Sequence, residues 1–369
     1  MTKRKLKFLS LLDLVKNFYY FDLYFIFQKF SREIFSKLYV LLLSVFYIPK
    51  SIMEYIKLKN QIKIEKDTIG LIIDGHMGDI FIQCSLIGAF KKKFKKKVLV
   101  VVPKNYQQIP EMFRSIDSIY STDYDSISIT KFRILILRLI MIALKILPHN
   151  LKEYLKKFVT VNGGELIFIP LFLLLINEKK LLKNYSKLYR MESHLFGLDF
   201  KKENFEKPKP TSKEIYKKVR KKFKELGLKL GKTVIIYPIT YSAFLLPKEF
   251  WQELADEIKK RGYSVATNVW NNEKPIPGTV PLFTEIKEKI AAAELAGTVI
   301  GVRSGIFDVL ASADCKKIII YTGYAGNKKI SWFARIKYLE PKGQNIEFFP
   351  ENLKKEGLEK IKTKILKEL

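Results

Sequence analysis

Beyond residue 60, the chain alternates short apolar runs rich in β-branched residues with longer amphipathic stretches. The runs have the length of buried strands, and the stretches between them have the apolar spacing of helices. Such alternation is typical of βαβ units in a parallel sheet, whose strands are buried on both faces. The predicted strands are residues 68–73, 98–102, 118–121, 233–237, 263–268, 298–302 and 317–321.

The intervening stretches predict helices, and a polar linker at residues 201–212 divides the elements into two series. Gly262 and Gly297 each follow the end of a predicted helix, where glycine readily takes the left-handed backbone of a C-terminal cap. Two Rossmann-like α/β halves are therefore expected. The predicted helices are residues 80–90, 213–226, 248–261 and 285–296, a short helix after Gly305, and a lysine-rich helix in the last 20 residues.

The loop Arg303-Ser304-Gly305 stands between a predicted strand and a predicted helix. Open α/β sheets bind anionic ligands at this edge, where the N–H groups of a helix start are available. Glycine allows a phosphate to approach the backbone, serine adds a hydroxyl donor, and arginine offers a bidentate fork. The loop therefore indicates an anion site. The alternative is that Arg303 caps the helix or pairs with Asp308 one turn on.

The first strand of the chain ends in a polar loop, residues 74–79 (DGHMGD). Asp79 is a candidate general base, and the alternative is that it caps the following helix, a role that does not exclude the first. Gly75 and Gly78 either allow a tight backbone around a ligand or belong to an ordinary turn. His76 either contacts the substrate that Asp79 would deprotonate, or contacts a phosphate, or is an exposed loop residue.

Further candidates for substrate binding follow the other strands of the second half. Hydroxyl groups after a strand can bind phosphate or ribose, and a Gly-Thr step can line a base pocket; a loop turned by prolines is the alternative for the latter. These candidates are Thr240, Tyr241, Ser242, Asn268, Gly278 and Thr279.

The composition narrows the class of partner. The chain has 369 residues and a net charge of +30, which indicates two domains and an anionic partner or surface. Nucleic acid is not predicted, because the basic run at residues 91–97 has no aromatic residue except Phe94. A solvated face or contact with lipid headgroups explains that run better.

The cysteines and histidines indicate no metal site. Cys84 and Cys315 lie far apart in apolar segments and are expected to be reduced core residues of a cytosolic protein. The three histidines, His76, His149 and His194, have no zinc-ligand spacing. No cofactor is predicted.

Residues 1–60 are unusually aromatic and basic. Helices of this composition tend to lie in the membrane interface, and packing on the body is the alternative. The longest uncharged run there, residues 38–49, is too short to span a bilayer, and no cleavage site indicates a signal peptide. A similar stretch at 131–147 is either a core helix or membrane-facing, and the apolar stretch at 165–176, broken by Pro170, is expected to be buried.

Several of these motifs together resemble the family 9 glycosyltransferases, the heptosyltransferase-like enzymes. The resemblance rests on residues 75–94 (GHMGDIFIQCSLIGAFKKKF), on Tyr237-Pro238 with residues 246–265 (LPKEFWQELADEIKKRGYSV), and on the helix and Ser-Gly loop at 285–305. It covers about residues 66–330. It implies the GT-B fold, with two Rossmann-like domains facing a cleft, a nucleotide-diphosphate sugar as donor, and no metal.

The resemblance also implies residue roles. The family's catalytic base maps onto Asp79, and its Asp-Ser-Gly loop near the donor diphosphate maps onto Arg303-Ser304-Gly305. The chain departs from the family where the loop aspartate is Arg303 and a later histidine is Asp308. A family lysine is also replaced, since Phe244 and Leu245 precede Leu246-Pro247. Arg303 is then expected to supply the charge of the missing lysine.

One competing motif is weighed against this assignment. Asp123-Tyr124-Asp125 resembles the metal-binding Asp-x-Asp triplet of GT-A transferases, but the order of helices and strands before it is wrong for that fold. It is therefore not assigned as a metal site.

The sequence thus predicts a fold with an extra N-terminal helical segment and a function. The predicted parts are a membrane-associating segment (1–60), an acceptor domain (61–212), a nucleotide-sugar domain (213–340) and a C-terminal helix (341–369). The expected enzyme is a metal-independent hexosyl- or heptosyl-type transferase, inverting with Asp79 as base. It would act on a cell-surface polysaccharide or lipid-linked glycan at the inner face of the cytoplasmic membrane. The alternative is a non-catalytic, membrane-associated protein of the same shape that binds a nucleotide.

Overall fold

The computed structural model describes residues 65, 67–73, 75–122, 165–168, 193, 196, 198, 201–240, 243–270, 273–323, 335–350 and 352–369, with backbone alone for 165–168 and 338. The predicted segment 1–60, the stretch 131–147 and the triplet at 123–125 lie outside this set. No helix within the described part of the chain has the length and apolarity needed to cross a membrane.

Two parallel sheets organise the described residues. The first has the strand order β3-β2-β1-β4, and the second has the order β10-β9-β8-β5-β6-β7. The strands are β1 Thr68–Ile72, β2 Lys97–Pro103, β3 Ser118–Thr122, β4 Glu165–Phe168, β5 Thr233–Tyr237, β6 Ser264–Asn268, β7 Val280–Leu282, β8 Gly297–Val302, β9 Lys316–Ile320 and β10 Asn345–Phe348.

The α-helices are α1 Met77–Ser85, α2 Ile87–Phe94, α3 Gln108–Glu111, α4 Lys213–Glu225, α5 Lys248–Lys260, α6 Lys289–Ala296, α7 Ile306–Leu310 and α8 Lys355–Lys367. Short 3-10 helices cover Lys104–Tyr106, Lys202–Asn204, Ile286–Glu288 and Ile336–Leu339.

The strand orders confirm the predicted pair of Rossmann-like α/β units. In each sheet, the chain starts in the middle, moves to one edge and then returns to the other side of the first strand. The order therefore reverses between β1 and β4 in the first sheet and between β5 and β8 in the second. Such reversal points are where open α/β sheets bind ligands.

Some segments differ from their predicted structure. The helix predicted at 80–90 starts at Met77 and is interrupted at Leu86, whose N–H bonds to the Gln83 and Cys84 carbonyl oxygens in a tight turn. The edge strands β4, β7 and β10 are additional. In β7, Pro281 lacks an N–H and is tolerated only because the strand is short and lies at the sheet edge. The predicted C-terminal helical segment 341–369 thus also contains a strand.

The apolar core joins the two halves. One cluster of buried residues includes Phe81 and Phe113 of the first half and Tyr237 and Phe307 of the second. A separate cluster packs α5 and α8 on the other face of the second sheet. The continuous cluster holds the helices that follow β1 and β8 against each other, which positions the predicted site loops.

Candidate active site

The starts of α1 and α7 meet where the two sheets adjoin. A Cβ atom built on Gly305 would lie 2.4 Å from the Gly78 nitrogen, and one built on Gly78 would lie 2.7 Å from the Gly305 Cα. Real Cβ atoms do not approach so closely, so the backbones of the two loops touch because both residues are glycine. The structure thus brings the Asp79 loop and the Arg303 loop into direct contact.

Asp79 is the third residue of α1, and its Oδ2 accepts a hydrogen bond of 3.0 Å from the His76 backbone N–H. The N-cap is therefore His76, and Asp79 satisfies the cap N–H from within the first turn. Gly75 has φ +131°, and a Cβ there would lie 2.9 Å from the Asp79 Cβ. A glycine is needed at this position for both its backbone angle and its closeness to Asp79.

The environment of Asp79 makes it a stronger base than an exposed aspartate. Burial raises the pKa of Asp79, and the Asp308 charge adds to this effect. The His76 N–H and the Arg303 charge lower the pKa. The net result is a raised pKa. The half-buried carboxylate therefore binds a proton more tightly than usual, which suits a general base.

Arg303 and Asp308 form an ion pair of 2.7 Å, with side chains only 10% and 2% exposed. Arg303 Nη1 also donates to the Ser304 carbonyl oxygen. The pairing considered from sequence is thus present. It does not exclude anion binding, because a guanidinium has five N–H donors and can serve several acceptors.

The other predicted residues separate into two groups. Thr240 is buried beyond the end of β5, and Asn268 is half-buried at the end of β6, so both lie at the carboxyl edge of the second sheet. Ser242 and Tyr241 lie outside the described residues. Gly278 and Thr279 stand directly before β7, at the opposite edge of the sheet. The sequence pattern did not show this strand.

The Thr279 hydroxyl takes part in internal hydrogen bonds. It lies 2.6 Å from the Thr267 hydroxyl oxygen and donates to the Ile276 carbonyl oxygen at 2.7 Å. Gly278 has φ +70°, a backbone conformation that favours glycine. The structure therefore gives these two residues a role in turning the chain into β7 and does not bring them to the contact between the two halves.

Lys289 is a candidate that the sequence analysis missed. This lysine is 2% exposed at the start of α6, and its Nζ donates to Asn268 Oδ1 at 2.8 Å and to the Thr284 hydroxyl at 3.3 Å. Its signal in the sequence is a charge at the start of a helix that is otherwise nearly all apolar, KIAAAELA.

A second polar contact joins the two halves. Gln108 Nε2 donates to Glu285 Oε2 at 3.2 Å, and the Lys287 N–H donates to Gln108 Oε1 at 3.3 Å. The glycine contact and the Gln108 hydrogen bonds therefore add to the shared apolar core in holding the halves together.

The predicted state of the cysteines is confirmed, since Cys84 and Cys315 are buried and unbridged. Burial raises the pKa of both thiols. Within the described ranges, no three His, Cys, Asp or Glu residues are grouped so as to hold a metal ion.

No family model and no curated protein matches the chain. Solved structures do match it. The chain is similar in structure to family 9 glycosyltransferases. A family 9 glycosyl transferase from Veillonella parvula has 14% identity and a TM-score of 0.47, over 78% of this chain and 87% of that one.

Two Escherichia coli enzymes are similar to the same degree. The heptosyltransferase WaaC, in a structure with ADP, has 14% identity and a TM-score of 0.48 over 82% of this chain and all of that one (100%). ADP-heptose LPS heptosyltransferase II has 12% identity and a TM-score of 0.48 over 82% and 97%. Such values describe a distant likeness of fold to GT-B glycosyltransferases and say nothing about substrate.

Proposed function

We propose that this chain is a glycosyltransferase that uses a nucleotide-diphosphate sugar. The observation that supports this most strongly is the contact between two ligand-binding edges. It places a carboxylate of raised pKa, Asp79, beside a loop bearing Arg303 and the Ser304 hydroxyl. Sugar transfer needs these two elements, a base for the acceptor hydroxyl and a cationic cradle for the departing diphosphate.

Asp79 and the Arg303 loop each have one role in the proposed reaction. The acceptor oxygen attacks the anomeric carbon from the side opposite the diphosphate, while its proton passes to the Asp79 carboxylate. The bond from the anomeric carbon to the diphosphate oxygen breaks, and that oxygen carries the electron pair away with its charge offset by Arg303. This single displacement inverts the anomeric configuration, and no step of it assigns a role to a metal ion.

The substrates are proposed at the level of chemical class. The donor is a nucleotide-diphosphate hexose or heptose, a class that includes the ADP-linked sugars named for similar enzymes. The acceptor is a cell-surface polysaccharide or a lipid-linked glycan. The net charge of +30 and the aromatic, basic residues 1–60 support peripheral binding at the inner face of the cytoplasmic membrane.

One observation favours a second candidate, a non-catalytic protein of the same shape that binds a nucleotide. Arg303 already has an anionic partner in Asp308, and the pair is largely buried. The two functions differ in turnover. A non-catalytic protein would bind nucleoside diphosphates, yet release none from any nucleotide sugar offered with membrane glycan extracts.

Asp79→Asn tests the proposed reaction. Asparagine keeps the size and an oxygen that can accept from His76, but it cannot take the proton. We expect turnover, measured as release of nucleoside diphosphate, to fall by about two to four orders of magnitude. Nucleotide affinity and melting temperature should change little.

Asp117→Asn is the matched control for this experiment. Asp117 also accepts a backbone N–H, from Val98 at 2.8 Å, but it lies at the start of β3, away from the contact between the halves. Its substitution should leave turnover unchanged. Near wild-type transfer by Asp79→Asn would show that Asp79 serves only the helix start.

A further inference from the structure

Lys289 and Asn268 form a polar pair at the carboxyl edge of the second sheet. Asn268 is the last residue of β6, and Thr284, the second partner of Lys289, follows the end of β7. A protonated lysine can only donate hydrogen bonds, so the Asn268 atom 2.8 Å from Nζ must be the oxygen. The orientation of the Asn268 amide is therefore fixed by the chemistry of its partner.

The fixed orientation turns both N–H groups of the Asn268 amide away from Lys289. Asn268 is half-buried, so part of the residue reaches the surface at this edge of the sheet. Among the described residues, no acceptor lies within hydrogen-bonding distance of its amide nitrogen. The edge thus presents two amide donors that are held in place from behind.

A buried lysine is a costly way to fill this position. Ile290 and Ala291, which follow it in α6, are buried and apolar, and no carboxylate in the described residues pairs with Lys289 within 4.0 Å. The Tyr237 and Trp270 rings, with centroids 5.9 and 6.0 Å from Nζ, offset part of the cost through their quadrupoles. An apolar side chain would fill the site without this cost, which indicates that the lysine is needed for what it holds.

The other buried lysine of the sheet shows what a purely structural lysine looks like. Lys317 is the second residue of β9, at the amino edge of the sheet, and is fully buried. Its three donors are used on three backbone carbonyl oxygens, those of Ala313 at 2.7 Å, Cys315 at 3.2 Å and Lys342 at 2.7 Å. It joins chain segments, whereas Lys289 holds side chains at the ligand-binding edge.

A continuous set of contacts links Asn268 to the Arg303 loop. The Tyr237 ring at the end of β5 faces both Lys289 and Phe307, whose ring centroid is 6.1 Å away. Phe307 precedes Asp308, the partner of Arg303. Asn268 and the Arg303 loop thus lie at the same carboxyl edge of the second sheet, on either side of the end of β5.

We propose that Lys289 is a positioning residue, which fixes the Asn268 amide as a hydrogen-bond donor to the nucleoside of the sugar donor. This inference rests on the proposed function and adds a subsite to it. The ligand atom is an oxygen or ring nitrogen acceptor on the base or ribose, and the diphosphate is bound separately at the Arg303 loop.

Asn268→Asp is the decisive variant. It keeps the shape and the oxygen that faces Lys289, but it replaces the two donors with an acceptor. The new carboxylate also pairs with the buried ammonium, so we expect the melting temperature to hold or rise. Calorimetric titration of the full chain with ADP, GDP, UDP and CDP should show the tightest of them weakened by about tenfold or more. Titration with pyrophosphate, which lacks the nucleoside, should give an affinity within about twofold of wild type.

Lys289→Met and Lys317→Met complete the test as a matched pair. Lys289→Met removes the partner that orients Asn268, so nucleoside diphosphate affinity should fall several-fold with pyrophosphate affinity kept. Lys317→Met leaves three buried carbonyl groups without their donor, so the melting temperature should fall while affinity for both probes is kept.

The outcomes separate this inference from the function beneath it. Wild-type protein that binds none of the four nucleoside diphosphates overturns both. Tight wild-type binding that persists within about twofold in Asn268→Asp and Lys289→Met overturns the inference and leaves the proposed function standing. An equal loss for pyrophosphate and nucleoside diphosphate also overturns it, since the effect would then be one of charge.

Discussion

The Arg303 guanidinium has an anionic partner in the folded chain, so a diphosphate bound there must share it with Asp308. Arg303→Ala removes a charge-assisted contact, and we expect nucleoside diphosphate affinity to fall about ten- to a hundredfold. Arg303→Lys should restore only part of this, because an ammonium lacks the planar fork. Calorimetric titration gives the affinities and thermal melting gives the stability of each variant.

Asp308 provides the control for Arg303. Asp308→Asn removes the competing negative charge while keeping a hydrogen-bond acceptor, so nucleotide affinity should hold or rise as stability falls. If Arg303 serves only to hold the loop, both Arg303→Ala and Asp308→Asn will lower the melting temperature and neither will change nucleotide affinity.

The burial of Lys289 leads to a prediction about how folding stability depends on pH. Burial lowers the pKa of Lys289 to about 8, against the Glu288 and Glu273 charges, which raise it, and together with the Lys222 charge, which lowers it further. Between that value and the ordinary lysine pKa, the unfolded chain binds the extra proton, so this residue makes stability rise with pH from about 8 to 10. The full rise is on the order of 3 kcal/mol, since each tenfold change in proton affinity is worth about 1.4 kcal/mol.

The measurement is a difference between two proteins. Chemical denaturation of wild type and Lys289→Met at pH 7, 8, 9 and 10 cancels the titration of the exposed lysines. The stability advantage of the methionine variant should shrink as pH rises. A difference that stays constant across this range would show that Lys289 is not a charged, buried group.

The candidate residues predicted from sequence at the contact share one property, a position in the loop or first helical turn that follows a strongly apolar strand. Asp79 and Arg303 stand after β1 and β8, whose burial is evident from their β-branched runs, so strand ends and polar loops together indicated them. The position of Gly278 before a strand was not evident, because β7 is three residues long and contains a proline. Lys289 was missed because its partners, Asn268 and Thr284, are brought to it only by the fold.

At the scale of elements, the crossing of α1 over α7 depends on Gly78 and Gly305. Gly78→Ala would place a Cβ 2.6 Å from Asp308 Oδ2 and 2.7 Å from the Gly305 Cα. Backbone cannot move aside as a flexible side chain would, so the two helix starts must separate. We expect a loss of about 1–3 kcal/mol, the usual range for overpacking, and a loss of turnover larger than that of nucleotide affinity. Thermal melting and nucleoside diphosphate release measure the two effects.

Gly88→Ala is the control for this variant. Gly88 lies in α2 of the same half, and a Cβ there would lie 3.3 Å from Glu206 Oε2 and 3.5 Å from the Ser115 Cβ. Alanine favours helix over glycine by up to about 1 kcal/mol, which should offset this mild crowding. Equal stability losses in Gly78→Ala and Gly88→Ala would contradict a special role for the crossing.

The central strands were predictable, whereas of the edge strands only β3, Ser118–Thr122, was predicted, as residues 118–121. The strand Thr233–Tyr237 was predicted at its observed bounds because it is buried on both faces and bordered by polar residues. β10, Asn345–Phe348, is a half-buried edge strand with alternating polar and apolar residues, a pattern too short to identify in sequence. The early start of α1 depends on the bond between His76 and Asp79, which periodicity does not show.

At the scale of the whole molecule, the carboxyl edges of the two sheets meet at the contact between Gly78 and Gly305. Each sheet reverses its strand order beside the loop in question, β1 to β4 for Asp79 and β5 to β8 for Arg303. The proposed base from one half and the proposed diphosphate-binding cation from the other can therefore act together only while the halves remain joined. In the proposed function, the glycine contact and the Gln108 hydrogen bonds thus support the candidate site as well as the fold.

The charge of the whole chain leads to a prediction about membranes. Residues 1–60 contain 14 aromatic residues, with 11 Lys or Arg against 4 Asp or Glu, so most of the net charge of +30 lies in the rest of the chain. Charge attracts a protein to anionic lipid but is screened by salt, whereas aromatic side chains in the interface resist salt. We expect the full chain to float with vesicles of 30% phosphatidylserine at both 0.1 M and 1 M salt. The chain lacking residues 1–60 should bind at 0.1 M and be released at 1 M, with thermal melting to confirm that it folds.

Vesicles of phosphatidylcholine alone control for charge. Full-length protein that stays soluble with anionic vesicles at 0.1 M salt would contradict membrane association, and equal release of both proteins at 1 M would leave attraction by charge alone.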